Sequence, residues 1–480
     1  MMLLCYLLAR FRAVFPAFLA SLGAIGLTLA FPETSPAQPA KSFDPAQFGF
    51  DLPVGIVRQE NGANVTTADA DANPVVARLH VAVGDGAIVM LPDGQLVARK
   101  AGEFTPTEKK FEPITKEALA KRLDATEFPS FKVKQTKHYV YVYNSSEEFF
   151  TGTSRILESM LPGVMAYAET QKIEGVHSPE VPLVVVMFST EEEFQKHRRM
   201  PAGVVAYYHT LSNRVFMYEK SRLLQVRPDL AQSQAISTVA HEGAHQILHN
   251  IGVQRRLSSW PMWLSEGLAE FFAPTTFGKG MKWKGAGQVN DMRMFELEQY
   301  VKSHASEKPD GKLVEQTVAA ARLTSTGYAS AWSLTHYLAK NRRGEFATYL
   351  RTISKTEPLE GALNIQPPGI VPANLELFRQ TFGDKFDDLE TKLVAHLKKQ
   401  PYTDPFADSP HFVAGLIIPN GKRAKREVQT FHSQLLADKW IRETIEKIPA
   451  EDQAAVLKEI RQFPNRATAE AFANSWMAGR

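Results

Sequence analysis

The chain has 480 residues, 44% of them hydrophobic and 22% charged, and a formal net charge of +3. That length exceeds one ordinary core, so two or three domains are expected, and the composition is that of a folded globular protein. The near-neutral balance gives no support for a nucleic-acid partner, which as a rule needs a basic face. The single cysteine, Cys5, precedes the first apolar stretch, which excludes thiol chemistry and disulfides from everything downstream.

In chain order, residues 1–30 read as a signal peptide. Arg10 and Arg12 precede an apolar run from Ala13 to Phe31, with Thr28-Leu29-Ala30 as a small-residue cleavage pattern. An uncleaved anchor is the alternative, because the run approaches spanning length. The expected location is therefore secreted, periplasmic or cell envelope, with no transmembrane helix left after signal cleavage. Residues 31–50, rich in Pro, Ala and Ser, read as a linker. Residues 51–132 read as a small β-rich domain, with strands at 75–83 and 87–91 and a Pro92-Asp93-Gly94-Gln95 turn before Leu96.

A catalytic domain is expected over 133–400. It opens on the strand Tyr139–Tyr143 and a long helix from Ser146 to about Lys172. A buried strand at Leu183–Phe188, a capping box at Thr190, and a hairpin of Val204–Tyr208 with Val215–Tyr218 follow. Helices then dominate: one from Pro228 to Gly252, a second opened by Ser259 or Pro261, and others at 327–339 and 386–399. Residues 401–480 read as a mostly helical C-terminal extension, irregular to 425, and no internal repeat is apparent. The predicted class is α+β.

The chemistry lies in His241-Glu242-Gly243-Ala244-His245. Residues four apart share a helix face, so His241 and His245 can place two imidazoles on one divalent ion, with Glu242 beside them as a base. This motif is short, and alone it is no better than an even wager against chance. A catalytic zinc site needs a third protein ligand and an open position. The helix pattern Trp263-Leu264-Ser265-Glu266-Gly267-Leu268-Ala269-Glu270 supplies Glu266 and Glu270 on one face, after enough chain to turn back.

These two segments together resemble the gluzincin metallopeptidases, the clan of thermolysin and aminopeptidase N, and most closely an uncharacterised exported bacterial family of that clan. The resemblance spans about 135–400. It implies a gluzincin-like catalytic domain, with a small mixed sheet followed by helices, Zn2+ held by His241, His245 and Glu266, and a peptide or protein substrate. It also implies Glu242 as general base, and Glu270 as a residue behind the ligands rather than one of them. Gluzincins often use a Tyr or His to stabilise the oxyanion. Tyr328 is the candidate here, against an alternative role as a core tyrosine. A metzincin site fits worse, because position 251 is Ile and 248 is Leu.

His249 and His336 read as structural. Lys279, Lys282, Trp283 and Lys284 read as a solvated loop, and Asn290 and Arg293 carry no assignment. A strand of the 204–218 hairpin is a candidate for pairing with extended substrate. Two other readings stay open: a non-catalytic envelope or interaction protein with a gluzincin fold, and a zinc amide hydrolase acting on a non-peptide bond.

Overall fold

The computed structural model describes residues 42–59, 62–221, 228–276, 281–303, 309–360, 373–420 and 423–479. The signal-peptide reading and Lys279 lie outside them. The protein is α+β. No helix among the described residues is long and apolar enough to cross a membrane.

The chain divides into two compact units. The first comprises 1–261, 275–286 and 347–372. Its N-terminal part is a seven-stranded antiparallel sheet: β1 (Ser42–Phe43), β2 (Gly55–Arg58), β3 (Asn64–Ala68), β4 (Pro74–Val83), β5 (Gly86–Met90), β6 (Leu96–Arg99) and β7 (Thr105–Pro106). Residues 42–50 are not a linker here: β1 pairs with β2, and Phe43 and Phe50 sit in the sheet's core with Val81, Val83 and Ile88. Two buried aromatic rings in nine residues outweigh the Pro/Ala composition, because burying each contributes roughly 2 kcal/mol. The expected boundary at 132/133 also falls at a strand of the next sheet, β8 (Lys132–Gln135), after helix α1 (Lys116–Arg122).

The next sheet is mixed, in the order β11-β12-β10-β9-β8. β9 (Tyr139–Tyr143), β10 (Leu183–Thr190) and β12 (Arg214–Lys220) run parallel, and β8 and β11 (Ala206–His209) are antiparallel edges. Parallel neighbours need crossovers. α2 (Glu147–Thr170), capped by Ser146, supplies the first, and α3 (Glu191–His197), capped by Thr190, lies in the second. β9 and β10 are buried along most of their length, which explains their unbroken apolar runs.

α4 (Pro228–Asn250) packs on this sheet and on α2, burying Ile236, Val239, Ala244, Ile247 and Leu248. A Cβ at Gly243 would overlap Leu157 of α2, so the motif's glycine is a packing requirement. Gly252, at φ +83°, takes the left-handed turn that ends this run of chain. The small hairpin of β13 (Thr275–Thr276) and β14 (Lys282–Trp283) completes the unit. Trp283 lies against Gly163 of α2 and Met281 against Gly152, so this part of the expected solvated loop is anchored.

The second unit comprises 262–274, 287–346 and 373–480. It contains α5 (Met262–Phe272), α6 (Asp291–Ser303), α7 (Lys312–Ala319) and α8 (Ser325–Asn341). α9 (Arg343–Ser354) begins in it, and α10 (Ala373–Phe382) and α11 (Phe386–Leu397) follow. α5 and α8 approach closely: a Cβ on Gly267 would lie 2.7 Å from the Ala331 carbonyl oxygen and overlap the Thr335 hydroxyl. His336 of α8 is buried beside His396 of α11, Nδ1 to Nε2 3.0 Å, and burial followed by His396 lowers its pKa to about 4, consistent with a structural role.

The C-terminal segment is not mostly helical. β15 (His411–Asn420) forms the centre of a three-stranded antiparallel sheet with β16 (Arg423–Phe431) and β17 (Leu457–Phe463). α12 (Gln434–Glu446), short α13 (Ala450–Gln453) and α14 (Arg466–Met477) join them. The strand–helix pairs β16–α12 and β17–α14 are an internal repeat. Val428, Phe431, Ser433, Ala437 and Ile441 correspond at constant spacing to Ile460, Phe463, Asn465, Ala469 and Ala473. Ser433 and Asn465 are the two helix caps, and Ala437 and Ala469 are fully buried. The expectation of no repeat is corrected on this point. β15 serves both copies, with α12 packed in one core cluster and α14 in another.

The α5–α8 contact is directly testable. Gly267→Ala is expected to destabilise the protein by about 1–3 kcal/mol, the usual cost of overpacking. A lowered thermal midpoint relative to wild type checks this, and an unchanged midpoint contradicts it.

Candidate metal centre

The helix α4 places His241 and His245 one turn apart, both buried, with ring centroids 4.9 Å apart at 77°. Glu266 is a partly exposed residue of α5. One ligand atom from each of His241, His245 and Glu266 lies within 4.8 Å of the other two, which makes this a group able to hold a metal ion. Two imidazole nitrogens and a carboxylate oxygen fit a divalent ion such as zinc, and three protein donors leave a coordination position open.

Glu242 is 5% exposed, and its Oε2 accepts a 2.8 Å hydrogen bond from the backbone N–H of Tyr208 on β11. The Tyr208 hydroxyl donates to Oδ1 of Asn213, at 2.8 Å. The amides of Asn213 and Asn250 exchange hydrogen bonds of 2.8 and 2.7 Å. Gln246, next to His245, donates to the carbonyls of Asn213 and Val184. Helix, hairpin turn and edge strand are thus tied by one buried polar network.

Both acids of α5 share a helix face, but they have different partners. Glu266 joins the histidines. Glu270, 3% exposed, accepts from Asn290 Nδ2 at Oε2 (2.8 Å) and from Arg293 Nη2 at Oε1 (2.6 Å). Arg293 also bonds Glu296 at 2.8 Å. Burial opposes the charge on Arg293, and Glu270 and Glu296 more than offset it, raising its pKa. Asn290 and Arg293 drew no assignment from sequence. The signal that points to them is Glu270 itself, an acid inside an apolar helix that needs a donor when buried.

Tyr328 lies in the first turn of α8, largely buried, with the Arg293 guanidinium 5.4 Å from its ring centroid. His249 is a structural histidine. Its Nδ1 contacts the Gln254 carbonyl at 3.0 Å, its ring stacks on Tyr208, and burial, with His245 and Arg256, pushes its pKa down to about 3.

The family described as "Protein of unknown function (DUF1570)" matches residues 235–360. That stretch contains His241, Glu242, His245, Glu266, Glu270 and Tyr328. A comparison with curated proteins gives no match.

Two outcomes are expected. Purified protein dialysed against zinc should retain about one ion per chain, as a single three-ligand site requires, by elemental analysis. Alanine at His241, His245 or Glu266 should abolish that retention, and zinc held equally by all three variants would exclude this donor set. Arg293→Met should destabilise the fold by about 3–5 kcal/mol, because it strands a buried carboxylate. Adding Glu270→Gln should recover part of that loss in denaturant melts.

Proposed function

We propose that the protein is a zinc-dependent hydrolase of the gluzincin type, cleaving peptide bonds outside the cytoplasm. The observation that carries this reading is the convergence of His241, His245 and Glu266, with Glu242 adjacent on the same helix. Zinc bound there would supply Lewis acidity, lowering the pKa of water to about 7. Glu242 takes a proton from the attacking water and returns it to the departing nitrogen. The Tyr208 N–H holds one oxygen of that carboxylate, fixing its rotamer before substrate arrives.

The edge position of β11 bears on the substrate. In an antiparallel pair, residues alternate between those bonded to the partner strand and those turned outward. Tyr208 directs its N–H to Glu242 rather than to β12, and Ala206, two residues away, shares that outward orientation. A peptide adding there as a further strand would first have to uncover this edge, whose residues 206–208 are buried. Tyr328 is the proposed donor to the oxyanion. Arg293, which covers its ring, also holds Glu270 on the helix that carries Glu266. Location outside the cytoplasm rests on the N-terminal signal pattern.

Casein and a mixed peptide pool provide the test. Glu242→Gln should reduce cleavage by about 100-fold or more, the usual weight of a general base, while zinc content stays unchanged. Zinc-loaded wild-type protein that cleaves neither substrate, or cleaves no faster than the variant, sinks the reading.

A further inference from the structure

The sheet of the C-terminal repeat ends on one side at β17. All seven residues of this strand pair with β15, from Leu457↔Ile417 to Phe463↔His411, and among the described residues with no other strand. An antiparallel edge strand turns the N–H and C=O of every second residue outward. Unlike β11, this edge is open. Leu457 is 66% exposed, Lys458, Arg461 and Gln462 are exposed, and Glu459 and Ile460 are half-buried. The helices of the repeat flank the strand and do not cover it. On one face α12 packs with Ile460, and a groove of about 390 Å3 lies beside them, lined by Asp438, Ile441, Arg442, Lys458, Glu459 and Ile460. On the other face α14 brings Phe472 against Phe463, with ring centroids 4.9 Å apart.

The sequence of this edge is complementary to itself. Set antiparallel to a second copy, with Ile460 facing Ile460, Glu459 falls opposite Arg461, Lys458 opposite Gln462 and Leu457 opposite Phe463. Directly opposed residues share a face of the sheet, with Cβ atoms about 5 Å apart. Glu459 and Arg461 already lie on one face, since they bond each other within the strand. Contributed by both copies, they form a square of alternating charge, and exposed Leu457 gains an apolar neighbour. Centring the pair on Glu459 or on Arg461 instead sets like charge against like, so the pattern selects one register. The opposite edge of the sheet, β16, has no such pattern. It carries Arg423, Lys425 and Arg426 against one acid, Glu427, and a second copy of it is disfavoured by charge.

From the open edge and its self-complementary charges we infer that β17 is a self-association site. Two copies of the chain join by antiparallel pairing of residues 457–463 about a two-fold axis at Ile460, which makes their two sheets continuous. A two-fold interface must be complementary to itself, because each of its contacts occurs twice. Backbone groups supply the affinity, and the four charges supply the register. Charges on an edge strand ordinarily block pairing with other chains. Here their order blocks most registers and admits this one. The groove beside α12 leaves space on that face for the side chains of the added strand that point the same way as Ile460. Neither the metal centre nor the hydrolase reading enters into this association.

Sedimentation of the purified protein over a range of concentrations tests this. The mean mass should rise towards that of a dimer as concentration increases. Glu459→Arg and Arg461→Glu, each alone, should weaken dimerisation by about tenfold or more, because each sets like charges opposite one another at two places in the interface. An equimolar mixture of these two variants should recover association, since every carboxylate again meets a guanidinium. The double variant should recover it for the same reason. A covalent probe reads the register directly. In a Cys5→Ser background, Ile460→Cys should form an intermolecular disulfide under mild oxidation, because the residue on the axis meets its own copy. Lys458→Cys should not, because its copy lies farther along the partner strand. A chain that stays monomeric, or a dimer indifferent to both charge reversals in variants with unchanged thermal melts, overturns the inference. So does a dimer that the mixture fails to restore, or a Lys458→Cys disulfide that forms as readily as that of Ile460→Cys.

Discussion

A carboxylate removed from water must be hydrogen-bonded, and Glu242 meets that requirement through a backbone N–H of an edge strand. This one contact constrains much of the first unit. It requires β11 to present Tyr208 at an outward position, and so to end the sheet rather than sit inside it. It also requires the β11–β12 turn to be held against α4. Asn213 does this from a left-handed conformation, φ +59°, that asparagine tolerates better than most side chains. Its amide pairs with Asn250, its carbonyl accepts from Gln246, and its Oδ1 accepts the Tyr208 hydroxyl. A carboxylate whose rotamer is fixed in this way is held in place in advance of any chemistry asked of it.

The same rule operates in the second unit through Glu270. An acid this deep would cost several kcal/mol if left alone. Asn290 and Arg293 satisfy both oxygens, and Arg293 reaches on to Glu296 and the ring of Tyr328. α6 and α8 are thereby tied to α5, whose other face is pressed against α8 by the absence of a side chain at Gly267. Glu266 is thus presented from a helix that is braced on two sides.

The terminal segments are built into their units. The N-terminal sheet shares a core cluster with Leu257 and Leu359, and Arg256 donates to the Gly94 carbonyl at 2.7 Å. The C-terminal repeat places two strand–helix pairs around the shared strand β15, where Gly415 leaves room for the Trp476 ring. Each has apolar core clusters of its own.

The sequence by itself determined the local elements whose periodicity is strong. The helices α2, α4, α8 and α11 fall where apolar spacing and caps put them. The i,i+4 relation of His241 and His245 is a property of the helix alone. Glu266 was named as a candidate ligand through the resemblance of its sequence context, and the structure brings it to the two histidines. Its distinction from Glu270 was not local, because the two occupy equivalent positions on one helix face, and only α6, bringing Asn290 and Arg293, separates their roles. Edge or interior placement of a strand is likewise a matter of non-local pairing, so β11 could not be told from β12 by composition. The C-terminal repeat escaped detection because its copies match in role rather than in residue type: a serine cap against an asparagine cap, an isoleucine against an alanine. Tertiary structure decided these points, since each depends on which distant segment supplies the partner for a buried or exposed group.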